Sequence, residues 1–191
     1  MTGQPVFHLD TPLARGMCQL FQKMVDRLML ERPLMVYLAG GMAVHLYTGE
    51  RVTTDVDAEY GARIPVPTDI GVEIDEPDGK KRLIYFDANY NGSFALTHED
   101  YLDDAIPVDI GIDMIRLHVL SPLDLAVRKI SRFAGNDQQD IAALVRMKLT
   151  TADAIEARAN EALGAFVGGV SMLKLNIRDA VALAREVEAS R

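Results

Sequence analysis

A chain of 191 residues that is 49% hydrophobic and 25% charged can bury a real core, so disorder is excluded, and one domain, or one domain with a helical extension, is expected. Its formal net charge of −8 argues against a long nucleic-acid footprint, which needs a basic excess, but leaves room for a small nucleotide or a local basic patch. A single cysteine, Cys18, excludes an internal disulfide framework. The absence of any apolar run near the roughly 20 residues of a membrane span, and of a signal-peptide pattern in MTGQPVFHLD, makes a soluble cytoplasmic protein with no membrane contact the expectation.

In chain order, Thr11-Pro12 predicts a helix start, with Thr11 as cap and Pro12 in the first turn. Leu13, Met17, Leu20, Met24 and Leu28 recur at helical spacing up to Pro33. LMVYL at 34–38 predicts a short buried strand, broken by Gly40-Gly41, and Met42–Tyr47 a helix of two turns or less. TDVDAE at 54–59 predicts one strand, with Val56 and Ala58 on one face and Asp55, Asp57 and Glu59 on the other. GVEID at 71–75 and KRLIYFD at 81–87 flank Pro77-Asp78-Gly79, which is hairpin chemistry. Residues 88–104 are polar and give no clear period; the acidic HEDYLDD within them reads as a solvated helix or turn.

Ile112–Leu120 predicts a further strand, after which the period becomes helical. Ser121-Pro122-Leu123-Asp124 is a capping box with Pro at the first position, opening a helix to about Phe133. Asp137 caps the next helix, and residues 151–164 and 176–188 give two more. The order predicts an α+β fold: a mixed β-sheet flanked by helices over residues 1–120, and a helical C-terminal part over 121–191 packed on that core.

Three elements carry chemistry. In LAGGMAVHLY, at 38–47, a strand meets two glycines and then a helix. Glycines at positions 40 and 41 let a ligand approach the backbone, and the helix start offers unpaired N–H groups suited to phosphate; the plain alternative is a tight strand-to-helix turn. Asp55-Val56-Asp57 places two carboxylates on one strand face, where they repel unless a cation such as Mg²⁺ lies between them; the alternative is a solvated edge strand. Asp87 closes an apolar strand and offers a third carboxylate, or else starts a turn with Asn89. Asp109 is the competing third acid.

Together these elements resemble the nucleotidyltransferase superfamily, which includes DNA polymerase beta. Its pattern is a Gly-Gly or Gly-Ser turn, a short helix, an Asp-x-Asp strand and a third acid on a neighbouring strand. Here 13 residues separate Gly41 from Asp55, and Arg51 and Thr53 precede the acids as in many small bacterial members. The stretch VLSPLDLAVRKISRFAGNDQQDIAAL at 119–144 is similar to the helical tail of the abortive-infection branch, the toxins of type IV toxin–antitoxin systems, and of its uncharacterised bacterial relatives. Lys129, Arg132, Asp137 and Asp140 stand at its charged positions.

The resemblance implies a nucleotidyltransferase-like fold and a metal-dependent enzyme. Asp55, Asp57 and Asp87 would hold Mg²⁺ (or Mn²⁺). Gly40, Gly41, Thr53 and Lys129 would bind a nucleoside triphosphate (NTP), with Lys129 also offsetting charge during transfer. The acceptor implied is RNA or a protein side chain, with a cognate antitoxin as partner if the chain is a toxin. A non-catalytic nucleotide-binding or antitoxin-like module and a small-molecule (antibiotic) nucleotidyltransferase are the alternatives.

The other candidates have plain readings. His45 is expected to be packed or solvated, and His8, His98 and His118 have no partner at zinc spacing. Cys18 has no His or basic neighbour arranged for catalysis and is expected to be structural. Asp137 and Asp140 can simply support their helix, and Lys129 can lie on the surface.

Overall fold

The computed structural model describes residues 5–76, 79–90, 92 and 95–190. Pro77 and Asp78 of the expected hairpin turn lie outside them. The chain divides into two compact units, one formed by Val6–Tyr90 with Ala105–Leu120, the other by Met1–Pro5, Asn91–Asp104 and Ser121–Arg191. The class is α+β, as expected.

The first unit holds the sheets. Helix α1 (Pro12–Leu28) starts where Thr11 accepts a hydrogen bond from the Ala14 N–H at 3.1 Å, with Pro12 where a missing N–H costs nothing. It ends at Met29 in the left-handed conformation. Strand β1 (Leu34–Leu38) leads into helix α2 (Gly40–Thr48), whose residues from Gly41 to Thr48 are all buried. A helix this apolar on every side belongs at the centre of a core. Tyr47 keeps its hydroxyl satisfied there by donating to the Leu120 carbonyl at 3.0 Å.

The expected 54–59 strand is two strands. β2 (Asp55–Val56) and β3 (Ala58–Tyr60) are separated by Asp57 and belong to different sheets. β4 (Gly71–Asp75) and β5 (Lys81–Phe86) pair antiparallel, as the hairpin pattern requires. β6 (Ile106–Val108) is an addition that three residues could not advertise by period, and β7 (Ile115–Val119) is a trimmed version of the expected 112–120 strand.

Two sheets result. One runs β3-β1-β7-β6, with β1 parallel to β7 and antiparallel to β3; the other runs β2-β5-β4, with β2 parallel to β5. α1 packs on the β4–β5 hairpin, where Phe21 meets Phe86 at a ring distance of 5.4 Å and Ile84 and Val72 are buried. Each such side chain removed from water contributes about 2 kcal/mol.

The second unit is helical: α3 (Pro122–Ile130), α4 (Gly135–Arg146), α5 (Ala152–Ala165) and α6 (Ser171–Ala189). Ser121 caps α3 by accepting from the Asp124 N–H, as the capping box predicts. α6 begins five residues before the expected 176, because Leu173 continues the buried stripe of Ile177, Val181 and Ala184 towards its N-terminus. Segment 95–104 belongs to this unit: Arg158 joins Asp104 at 2.5 Å to the buried Asp124 at 3.0 Å. HEDYLDD is therefore a turn, partly solvated and tied at Asp104 and at His98, which lies 3.3 Å from Glu161. No helix among the described residues is long and apolar enough to cross a membrane.

Candidate metal centre

The register of the sheets builds a carboxylate cluster. In the parallel β2–β5 pair, Asp55 stands opposite Tyr85 and Val56 opposite Phe86. The next residue on each strand is an aspartate, Asp57 and Asp87. The Asp87 N–H donates to the Val56 carbonyl at 3.2 Å, which fixes Asp87 beside the pair. The Asp57 carbonyl meanwhile accepts from the Ala39 N–H at 2.9 Å, so its backbone is held by the other sheet. One carboxylate oxygen from each of Asp55, Asp57 and Asp87 lies within 4.8 Å of the others. All three residues are half-buried. The side chains converge although the pair does not share one continuous strand, because the chain turns from one sheet to the other at Asp57.

Gly40 and Gly41 face this cluster. Gly40 has φ +62°, a conformation glycine adopts without strain, and a methyl group built on it would overlap the Asp57 carboxylate. A methyl on Gly41 would lie 3.0 Å from the Thr53 hydroxyl oxygen and 3.6 Å from Nη2 of Arg51. The start of α2 is thus bare backbone between a carboxylate and a guanidinium. Its first N–H groups have no partner within the helix, which suits an anion. Thr53 donates its hydroxyl to Oδ1 of Asp55 at 2.5 Å. This orients the acid, a role separate from the nucleotide contact that the resemblance implies for Thr53.

The remaining candidates have distinct places. Asp87 accepts from the Asn89 N–H at 2.8 Å through Oδ1, so the turn reading and the cluster reading hold for the same side chain. Asp109 lies outside the cluster; it is exposed and accepts from the Gly111 N–H at 2.8 Å, closing a turn.

Lys129 is in the helical unit, only 9% exposed in its side chain, with its ammonium 2.6 Å from Asp140 and 3.7 Å from Asp137. Arg132 forks onto Asp137 with bonds of 2.8 and 2.9 Å. Burial pushes the Asp137 carboxyl up, but the Arg132 hydrogen bond and the charges of Lys129 and Arg132 outweigh it and hold the group below its ordinary value. Cys18 is partly buried, and burial pushes its thiol up, the opposite of an activated nucleophile.

The fit of a divalent cation follows from the donor set. Three hard carboxylate oxygens, beside bare helix N–H groups, fit a hard divalent cation. A family model described as "Nucleotidyltransferase of unknown function (DUF6036)" matches residues 16–179. The chain belongs to this family. The match spans every element that builds the cluster and extends into the last helix of the second unit. A search of the curated proteins finds no match. Among solved structures, the chain is similar to an antigenic nucleotidyltransferase-like protein from Paracoccidioides brasiliensis, at 15% identity and a TM-score of 0.47, over 97% of this chain and 93% of that one.

Two features of the site were beyond sequence reading. His45, read from the sequence as packed or solvated, is buried, and both ring nitrogens are bonded, to Arg51 and to Thr11, which spacing does not show. Arg51 at Gly41 was named only through resemblance. A contact between residues 45 and 51 depends on how the loop after α2 folds back, and no spacing rule encodes that.

Proposed function

We propose that the protein is a metal-dependent nucleotidyltransferase that moves a nucleoside monophosphate from an NTP to a hydroxyl of an RNA or protein acceptor. The observation that carries this reading is the convergence of Asp55, Asp57 and Asp87 at the Gly40-Gly41 turn. Asp55, Asp57 and Asp87 would hold Mg²⁺ or Mn²⁺, which when bound supplies neutralisation of the carboxylates and charge withdrawal from the triphosphate.

The chain's own groups divide the rest of the work. Backbone N–H groups at the start of α2 receive phosphate oxygens, with Arg51 beside Gly41 to balance their charge. Thr53 keeps Asp55 pointed into the cluster. In Asp87, Oδ1 is engaged by Asn89 and Oδ2 is assigned the acceptor's hydroxyl proton. The acceptor oxygen then bonds to the α-phosphorus, the bond from that phosphorus to the bridging oxygen breaks, and pyrophosphate leaves. Lys129 enters the proposal as a second cation for phosphate charge, testable apart from its pairing with Asp140.

The likeness of residues 119–144 to the abortive-infection branch supports a toxin role with a cognate antitoxin, and the need for NTP and Mg²⁺ supports a cytoplasmic setting. The test is calorimetry with each of the four triphosphates, with and without metal, followed by label transfer from α-labelled NTP to total RNA and to protein lysate. Metal-dependent binding with transfer that Asp57→Asn abolishes is the expected result. Binding without transfer to any acceptor favours a non-catalytic nucleotide-binding module, and no binding by folded protein overturns the reading.

A further inference from the structure

The loop that carries Arg51 and Thr53 into the acid cluster is held at one point by a buried histidine. His45, in the last turn of α2, is 5% exposed, and its Nδ1 lies 2.6 Å from the Arg51 carbonyl. A carbonyl oxygen only accepts, so Nδ1 carries the proton and donates. The other nitrogen, Nε2, lies 2.7 Å from the Thr11 hydroxyl, which in turn accepts from the Ala14 N–H. In a neutral ring Nε2 is an acceptor, so the Thr11 O–H donates to it. The bonds then run in one direction, from the Ala14 N–H through Thr11 and His45 to the Arg51 carbonyl, and every group in the chain is satisfied. Burial also disfavours the charged ring and pushes its pKa below the ordinary histidine value.

The far end of this chain is the site. From the clamped Arg51 carbonyl, the Arg51 side chain reaches Gly41, and two residues on, Thr53 bonds Asp55. At the near end, the N-cap of α1 anchors the imidazole to a helix that packs on the β4–β5 hairpin, the strand pair that delivers Asp87. We propose that His45 is the positioning residue of the metal and phosphate site. By holding the Arg51 carbonyl it fixes loop 49–54, so that Thr53 orients Asp55 and Arg51 stays at the glycine turn. The inference rests on the metal-site reading above and adds the device that preorganises it. The packing of a buried ring alone does not require a specific donor at Nδ1, whereas this role does.

The experiment compares the full-length chain with His45→Phe, His45→Asn and His45→Gln. Asn places an N–H where Nδ1 stands, Gln reaches towards the Nε2 position, and Phe keeps the ring without either. Mn²⁺ affinity is measured by calorimetry below the melting temperature of every variant, with amide hydrogen exchange of residues 51–55 read in the absence of metal. Expected are Mn²⁺ binding weakened about 10- to 100-fold in His45→Phe, recovery to within a few-fold of the parent in His45→Asn, and faster exchange at 51–55 in Phe but not Asn. Equal losses in Phe and Asn, or parental affinity and exchange in Phe, overturn the inference. If His45→Phe does not fold, the Asn and Gln variants decide it: binding better retained by Asn supports it, and indistinguishable binding overturns it. If the parent itself binds no Mn²⁺, the metal reading fails, and the exchange data alone decide whether His45 fixes the loop.

Discussion

Gly40 lies so close to Asp57 that only hydrogen fits on its α-carbon. The position also has φ +62°. Gly40→Ala therefore meets two penalties, about 1–2 kcal/mol for a left-handed alanine and a displacement of the Asp57 carboxylate. The expected outcome is a folded protein with a lowered denaturation midpoint and Mn²⁺ affinity reduced at least about tenfold. Calorimetry beside urea unfolding checks both halves.

Asp87→Asn separates charge from shape. The amide oxygen still accepts from the Asn89 N–H, so the turn after β5 survives. The cluster loses one of its three like charges, which relieves repulsion in the metal-free protein. Metal affinity should fall at least about tenfold, while metal-free stability stays unchanged or rises. Asp109→Asn, altered at a turn outside the cluster, should leave metal binding at the parental value. Titration with Mn²⁺ and thermal melts in chelator measure the contrast.

Lys129 and Asp140 form a buried pair at 2.6 Å. Removing one partner of a buried ion pair typically costs about 3–5 kcal/mol. Lys129→Met is expected to destabilise by that order, and the double variant Lys129→Met with Asp140→Leu to recover a large part of the loss, as measured by urea unfolding. Nucleotide affinity of the folded double variant then reads any phosphate role of Lys129 free of its structural one.

Two groups contribute to the acid side of the stability profile. The pKa of His45 is lowered in the folded protein, so below about pH 6.5 the unfolded chain binds the proton first and stability falls as pH drops towards the folded value. The carboxyl of Asp137 is likewise held low. Its contribution is fully present above the unfolded value near pH 3.9 and is lost as pH falls through the folded one. Urea midpoints between pH 3 and 8 should show both declines. His45→Asn should flatten the first, and Asp137→Asn the second.

The long periodic elements were legible because their signals are local. Thr11-Pro12 and Ser121-Pro122 start helices through caps that need only neighbouring residues, and the alternation in 71–75 and 81–86 pairs as read. The glycine turn and the Asp-x-Asp pair could be read because each is a short local pattern of residue types. The break at Asp57 was not legible. Its alternation continues through TDVDAE, and only the competition between two sheets for adjacent backbone groups divides it. β6 was too short for a period to show. Lys129 reads as a surface lysine until α4 brings Asp137 and Asp140 against it, a contact between helices that spacing within α3 cannot reveal.

The passage of the chain through Asp57 has a mechanical side. The Val56 carbonyl is bonded into one sheet and the Asp57 carbonyl into the other, so the step between the sheets is a single residue long. That residue also presents a side chain to the cluster, while Asp55 and Asp87 stand on strands of one sheet only. A ligand gripping all three is a rivet through a lap joint: it stops the two sheets from sliding past each other where the overlap is thinnest. Amide exchange along β2, β3 and β5 is therefore expected to slow together when Mn²⁺ is added, because one ligand would tie strands of both sheets.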